Sequence, residues 1–147
     1  MNTEPATKKR ILLVEDEVNL RELMKFRLEE AGYEVLTAGD GLMAVSLART
    51  QKPDVILLDL MLPKLDGYTV CRLLKMNDIT KEIPIIMITA RTGSQDRERG
   101  LEMGADAYIP KPADMPTLLA KISEVTRKET KNEAAPSADE PTPPDEK

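Results

Sequence analysis

The chain has 147 residues, of which 32% are charged and 3% aromatic, so we expect one domain of ordinary size with an aliphatic core. Its formal net charge of −5 argues against direct binding to nucleic acid, which relies on clustered Lys and Arg. The absence of histidine excludes a phosphohistidine, a His-based triad and a His-ligated metal, and leaves carboxylates, hydroxyls and lysines for any chemistry.

The predicted elements alternate between strand and helix from the start. An apolar run at residues 11–14 is short and continuous, which is typical of a strand covered on both faces of a parallel sheet. From residue 17 to residue 31 apolar residues recur with i, i+3 and i+4 spacing, and Gly32 follows as a C-terminal cap, which predicts a helix. The remaining predicted elements are strands at 33–38, 55–58, 85–88 and 107–109, and helices at 41–50, 66–76, 93–103 and 116–125.

Five β-α units in succession predict an α/β fold. Such a chain forms a parallel sheet with helices on both faces and right-handed crossovers, a doubly wound sandwich. We expect a flexible N-terminus at residues 1–8, one folded domain at residues 9–127, and a disordered acidic, Pro-rich tail at residues 128–147. The tail has too few apolar residues to offset the entropy of ordering it.

Acidic residues follow two of the predicted strands. Glu15 and Asp16 come directly after residues 11–14, and Asp59 comes directly after residues 55–58. If the strands lie in the order 2-1-3-4-5, the first and third are neighbours and the three carboxylates meet at one edge. Two like charges about 4 Å apart repel by about 4 kcal/mol at an effective dielectric of about 20, so this cluster should raise a pKa or bind a cation. Oxygen ligands with open positions for water suit Mg²⁺.

Two further polar residues follow the fourth and fifth predicted strands. Thr89 comes after residues 85–88, and Lys111 lies in a PKP sequence after residues 107–109. With Mg²⁺ present, a carboxylate could attack a phosphoryl group, and these two side chains could take up charge on its oxygens. Phosphoryl transfer depends mainly on such positioning and electrostatics.

The motifs together resemble the response-regulator receiver domain of two-component signalling. They are ILLVEDE with Glu15 and Asp16, ILLDLMLPKLDG with Asp59, MITA with Thr89, and GADAYIPKP with Tyr108 and Lys111. The resemblance covers about residues 9–126. It implies the flavodoxin-like (βα)5 fold of chemotaxis regulators, with strand order 2-1-3-4-5.

The resemblance also implies a Mg²⁺ site and a phosphoacceptor. Asp16 and Asp59 would ligate the ion directly, Glu15 partly through water, and Met61 through its backbone carbonyl. Asp59 would take a phosphoryl group from the phosphohistidine of a partner histidine kinase or histidine phosphotransfer protein. The chain would catalyse only its own phosphorylation and dephosphorylation, with Lys111 assisting Asp59.

A switch is the other implied property. Thr89 would move toward the phosphoryl oxygen and Tyr108 would move inward, so that the face formed by the fourth helix, fifth strand and fifth helix changes for a downstream effector protein. The Lys111–Pro112 bond is expected to be cis. Met61 and Arg91 occupy positions that tune the lifetime of the phosphoryl group in this family, and our hypothesis is that apolar Met61 shields the acyl phosphate from water.

Several alternatives stand beside this interpretation. A haloacid-dehalogenase-type phosphatase also uses a strand-end aspartate and Mg²⁺, but it would need a second aspartate where this chain has Met61. A flavodoxin-like FMN protein would need phosphate donors in the first loop, where Glu15 and Asp16 would repel phosphate. A phosphorylation-independent adaptor would not need the complete set of acids, threonine and lysine. A phosphorelay intermediate would pass the phosphoryl group on.

The remaining features bear on location and partners. The one cysteine, Cys71, cannot form an internal disulfide, and no apolar stretch approaches the roughly 20 residues needed to cross a bilayer. We expect a cytoplasmic protein without membrane association. Since an output domain has no room, the chain would act on a separate protein, unless it is a receiver cut from a longer regulator. A homodimer is an alternative assembly.

Overall fold

Strands and helices alternate along the whole of the computed structural model, which describes residues 8–90 and 93–134. Each of the five strands is followed by a helix, as the sequence predicts. The elements in order are β1 (Arg10–Val14), α1 (Val18–Glu30), β2 (Glu34–Ala38), α2 (Gly41–Gln51), β3 (Val55–Leu58), α3 (Gly67–Met76), β4 (Ile85–Thr89), α4 (Ser94–Glu102), β5 (Ala107–Pro110) and α5 (Met115–Ala134).

The five strands form one parallel sheet in the order β2-β1-β3-β4-β5. This confirms the predicted order and the flavodoxin-like α/β fold. β1 and β3 pair so that Val14 lies opposite Leu58, the last residue of each strand. The residues that follow, Glu15 and Asp59, therefore leave the sheet at the same level.

The core has two layers, one on each face of the sheet. On one face, buried residues of β1, β3 and β4 pack with α2 and α3, for example Leu58 with Val70 and Leu74. On the other face, α1 contributes Leu28 and α5 contributes Leu118 and Ile122. Continuous apolar strands are explained by this arrangement, because both of their faces are covered.

The observed bounds of the strands differ from the predicted bounds by at most one residue at either end. The largest difference among the helices is at α5, which begins at Met115 and continues past residue 127, the predicted end of the domain, to Ala134. The predicted tail is thus helical as far as Ala134. Its remainder, residues 135–147, and residues 1–7 of the predicted flexible N-terminus lie outside the described residues. Among the described residues, none of the helices has the length and apolar character that crossing a bilayer requires.

Candidate functional site

The candidate site lies at the carboxyl edge of the sheet, where β1 and β3 end side by side. The backbone ladder continues one residue beyond each strand. Glu15 donates its N–H to the carbonyl of Ala38 at 3.0 Å, and Asp59 donates its N–H to the carbonyl of Val14 at 3.3 Å. The backbones that carry these two acids are therefore fixed by the sheet.

The three predicted acids come together at this edge. Carboxylate oxygens of Glu15, Asp16 and Asp59 all lie within 4.8 Å of one another, with Glu15 and Asp59 buried and Asp16 exposed. The strand order explains why the three acids meet, because β1 and β3 are neighbours in the sheet.

Lys111 reaches this cluster from the end of β5. Its backbone N–H donates to the carbonyl of Thr89 at 2.8 Å, so the chain stays paired with β4 beyond Pro110. The Lys111–Pro112 peptide bond is cis, as predicted. The ammonium Nζ donates to Asp59 Oδ2 at 2.7 Å and to Glu15 Oε1 at 2.8 Å. One lysine thus bridges acids from two different strands.

The two acids that bind Lys111 keep its ammonium charged. Partial burial alone would lower the pKa of the ammonium, but its hydrogen bonds to Asp59 and Glu15 and the charges of these acids outweigh burial, so the pKa is raised. With three carboxylates against one ammonium, the cluster carries an excess negative charge of two. This charge and the all-oxygen ligand set fit a divalent cation such as Mg²⁺.

The loop after β3 holds the other side of Asp59. The Met61 N–H donates to Asp59 Oδ1 at 3.1 Å, while the Met61 side chain is 59% exposed. Gly67, the first residue of α3, donates its N–H to the Leu60 carbonyl at 2.8 Å. A Cβ added at Gly67 would lie 2.5 Å from the Asp59 carbonyl oxygen, so α3 starts in direct contact with the backbone of Asp59.

The predicted switch residues lie on the two neighbouring strands. Thr89 ends β4 and is fully buried. Tyr108, in β5, is half-buried and packs against the core layer that contains Met87, close to Gly100 of α4. Their movement on phosphorylation stays a prediction. Arg91 lies outside the described residues.

Sequence reasoning did not find every contact at the site. It placed Lys111 near Asp59 but gave no reason for its second bond, to Glu15. It also missed Arg21 of α1, whose guanidinium Nη1 donates to the Glu15 carbonyl at 2.9 Å. The position of Arg21 near the start of α1 could have predicted this contact, because side chains there point back toward the preceding loop.

Comparisons with known proteins agree with this geometry. The family model described as the response regulator receiver domain matches residues 11–123. The DNA-binding dual master transcriptional regulator RpaA of Synechocystis sp. is 43% identical over 119 residues, which are 81% of this chain and 49% of the relative. The response regulator PleD of Caulobacter vibrioides is 47% identical over 119 residues, which are 80% of this chain and 26% of the relative. The chain thus spans about half or less of these curated relatives.

A solved structure shares both the fold and the sequence pattern. The receiver domain of a sensor histidine kinase from Pseudomonas aeruginosa, with a magnesium ion coordinated in its active site cleft, has a TM-score of 0.77 and 34% identity, and the match covers 82% of this chain and 99% of that one. The strand order, the acidic cluster and the family match lead to the same conclusion. The chain belongs to the response regulator receiver domain family, whose members act in two-component signal transduction.

Proposed function

We propose that the protein is a phosphoacceptor in which Asp59 takes a phosphoryl group from the phosphohistidine of a partner kinase or phosphotransfer protein. One observation supports this most strongly. The Asp59 carboxylate is held at Oδ2 by Lys111 Nζ and at Oδ1 by the Met61 N–H, with the acids Glu15 and Asp16 beside it. This arrangement orients a nucleophile and supplies positive charge next to it.

Glu15, Asp16 and Asp59, with the Met61 backbone carbonyl, would hold Mg²⁺. The bound ion would screen the carboxylates from the incoming phosphoryl group and offset charge on its oxygens.

In the transfer step, an Asp59 oxygen forms a bond to phosphorus while the bond from phosphorus to the imidazole nitrogen breaks, and that nitrogen keeps the electron pair. Lys111, already 2.7 Å from the carboxylate, lies close enough to donate to an oxygen of the transferred group. The buried Thr89 hydroxyl would bind another of these oxygens. Dephosphorylation would be attack of water on the same acyl phosphate.

The output would be a changed protein surface. Tyr108 packs beside α4 in the present structure, so a movement of Thr89 and Tyr108 would alter the face formed by α4, β5 and α5. We propose that this face binds a downstream effector protein.

The direct test uses Mg²⁺ and a small phosphodonor such as acetyl phosphate. We expect one phosphoryl group per chain, sensitive to hydroxylamine and dependent on Mg²⁺, and none in Asp59→Asn. Asp78→Asn is a suitable control, because the Asp78 side chain is 93% exposed. Full labelling of Asp59→Asn would overturn the proposal, and so would many turnovers per chain, which would indicate a phosphatase. Phosphotransfer from purified kinases would then identify the donor.

The Met61 hypothesis gives a separate prediction about the lifetime of the acyl phosphate. An apolar side chain at this position should keep water away from the phosphoryl group, whereas an amide could orient a water molecule for attack. We expect Met61→Asn to lose its phosphoryl group severalfold faster than the parent, measured by following the phosphorylated protein after removal of the donor. An unchanged rate would contradict the hypothesis, and Met61→Leu serves as the apolar control.

A further inference from the structure

Arg21 connects α1 to the loop that carries two of the three acids. This loop, residues 15–17, runs from the end of β1 to the start of α1. Arg21 donates its backbone N–H to the Glu17 carbonyl at 2.9 Å and its Nη1 to the Glu15 carbonyl at 2.9 Å. Arg21 therefore bonds to both ends of the loop, to Glu17 through its backbone and to Glu15 through its half-buried side chain.

The guanidinium also lies against the end of β2. A Cβ built on Gly39 would be only 3.2 Å from Arg21 Nη1, which is a tight contact. Gly39 does not have a left-handed backbone, so the effect of a side chain added there depends on whether the guanidinium can move by a few tenths of an ångström. Because Glu15 is bonded to Ala38 in the same place, Arg21 lies where the ends of β1 and β2 meet.

Asp16 needs such support more than the other acids. Glu15 and Asp59 both bind Lys111, whereas Asp16 is exposed and makes no hydrogen bond or ion pair among the residues that the structure describes. Repulsion from the two neighbouring carboxylates favours its movement away from the cluster. The position of its carboxylate depends on the loop backbone that Arg21 fixes.

We propose that Arg21 is a positioning residue for the Mg²⁺ site, and that it acts by holding the loop so that Asp16 stays beside Glu15 and Asp59. This inference rests on the Mg²⁺ site of the proposed function. A merely structural role for Arg21 makes a different prediction, since anchoring of α1 would change the stability of the fold but not the affinity for the ion.

The test is a titration of the full chain with MgCl2, in which Mg²⁺ binding is measured from the NMR chemical shifts of the backbone amides. Arg21→Met keeps the aliphatic stem and removes the donors, and we expect it to weaken Mg²⁺ binding about tenfold, at the low end of outer-shell effects. Arg21→Lys should recover most of the affinity. In labelling assays, Arg21→Met should need more Mg²⁺ for half-maximal rate but should reach the parental rate at saturation.

Gly39→Ala tests the same contact from the other side. Its methyl group should shift the guanidinium by a few tenths of an ångström and weaken Mg²⁺ binding by about threefold, a fraction of an outer-shell deletion. Added to Arg21→Met, it should cause no further loss, because the guanidinium is already gone. If Arg21→Met does not fold, Gly39→Ala and Arg21→Lys still decide the question.

The outcomes separate this inference from the proposed function. Parental Mg²⁺ affinity in Arg21→Met, or an additive loss in the double variant, would overturn the role of Arg21 and leave the phosphoacceptor proposal intact. A parent chain that binds Mg²⁺ no better than Asp16→Asn would overturn the metal site itself, and with it both proposals.

Discussion

Two carboxylates at this site are buried, and the ammonium of Lys111 offsets the charge of both. Glu15 is 3% exposed and Asp59 is 7% exposed, so each carboxylate has little water to stabilise its charge. Lys111 donates to both and keeps a fifth of its own side chain, 20%, in contact with solvent. It therefore offsets two buried charges while losing only part of its own hydration.

Removal of Lys111 should destabilise the fold in a way that depends on pH. Breaking a buried ion pair from one side costs about 3–5 kcal/mol, and we expect Lys111→Met to cost less because the lysine is partly exposed. The Lys111 pKa is raised in the folded state. The stabilisation of the fold by Lys111 is thus complete below the pKa of an unfolded lysine, about 10.4. It is lost as the pH rises through the higher pKa of Lys111 in the folded protein.

The measurement is urea unfolding of the parent and Lys111→Met between pH 7 and pH 11. The difference in unfolding free energy should be constant up to about pH 10 and then shrink. Lys111→Arg keeps the charge and should retain most of the stability at neutral pH. A difference that shrank between pH 7 and pH 9 would be inconsistent with the lysine as the titrating group.

The sequence predicted which residues gather at the site but not how they pair. The acids after β1 and β3 meet because these strands are neighbours in the sheet, and the long side chain of Lys111, after β5, reaches them past the end of β4. The bond from Lys111 to Glu15 depends instead on the rotamer of a long side chain, which no local pattern specifies. The close approach of Arg21 in α1 to Gly39, in the turn after β2, likewise joins distant parts of the chain.

At the scale of elements, the start of α3 lies against the backbone of Asp59 and Leu60. A Cβ on Gly67 would meet backbone atoms, the Asp59 oxygen at 2.5 Å and the Leu60 Cα at 2.6 Å, and neither can move without displacing β3. At Gly93, which precedes α4, the nearest atom to an added Cβ is a side-chain oxygen of Asp96 at 3.4 Å. Gly67 is the first residue of its helix and Gly93 is the residue before its helix, and the two have very different surroundings.

Gly67→Ala should therefore be costly and Gly93→Ala mild. Overpacking of this kind costs about 1–3 kcal/mol, and we expect Gly67→Ala to lose that much stability and to be labelled more slowly at Asp59. Gly93→Ala should lose less stability and keep the parental labelling rate. Chemical denaturation and acetyl phosphate labelling measure the two effects, and equal behaviour of the variants would contradict the proposed contact.

A second link between elements joins α3 to α4. The Tyr68 hydroxyl lies 3.0 Å from both the carbonyl oxygen and Oδ1 of Asp96, and the Arg99 guanidinium lies 4.6 Å above the Tyr68 ring. Tyr68 directly follows Gly67, so two adjacent residues of α3 contact the backbone of Asp59 and the side chain and backbone of Asp96 in α4.

Tyr68→Phe should loosen α4 without disturbing the ring packing. A lost hydrogen bond costs about 1 kcal/mol, and we expect faster amide exchange in α4 by hydrogen–deuterium exchange. Tyr33→Phe is the matched control, because the Tyr33 hydroxyl makes no hydrogen bond within residues 8–90 and 93–134. Faster exchange in both variants would mean that the Tyr68 bond does not restrain α4.

The ends of helices show where sequence patterns stop being informative. α1 to α4 have predicted and observed bounds that nearly coincide, since an apolar stripe, a cap or a proline marks each end. Beyond Val125, α5 continues through mainly polar residues to Ala134. A polar helical extension has no apolar periodicity, so its end could not be predicted from the pattern that located the rest.

At the scale of the whole molecule, two apolar layers make the sheet inaccessible from both sides. Cys71 in α3 lies in one of these layers and is fully buried, with its Sγ 3.5 Å from the Met103 carbonyl. Burial raises the pKa of the Cys71 thiol to about 12, so almost no reactive thiolate is present at pH 8. Its reactivity should thus report on opening of the whole fold.

We expect the thiol reagent DTNB to modify Cys71 at least about a thousandfold more slowly in the folded protein than in urea, because a stability of 5 kcal/mol or more limits the open state. Leu74→Ala, which removes a side chain only 1% exposed from the same layer, should speed the reaction, whereas Met76→Ala, at a position 68% exposed, should not. A rapid reaction in the parent that Leu74→Ala leaves unchanged would instead show that α3 opens locally, and that the layer over Cys71 is not a single cooperative unit with the sheet.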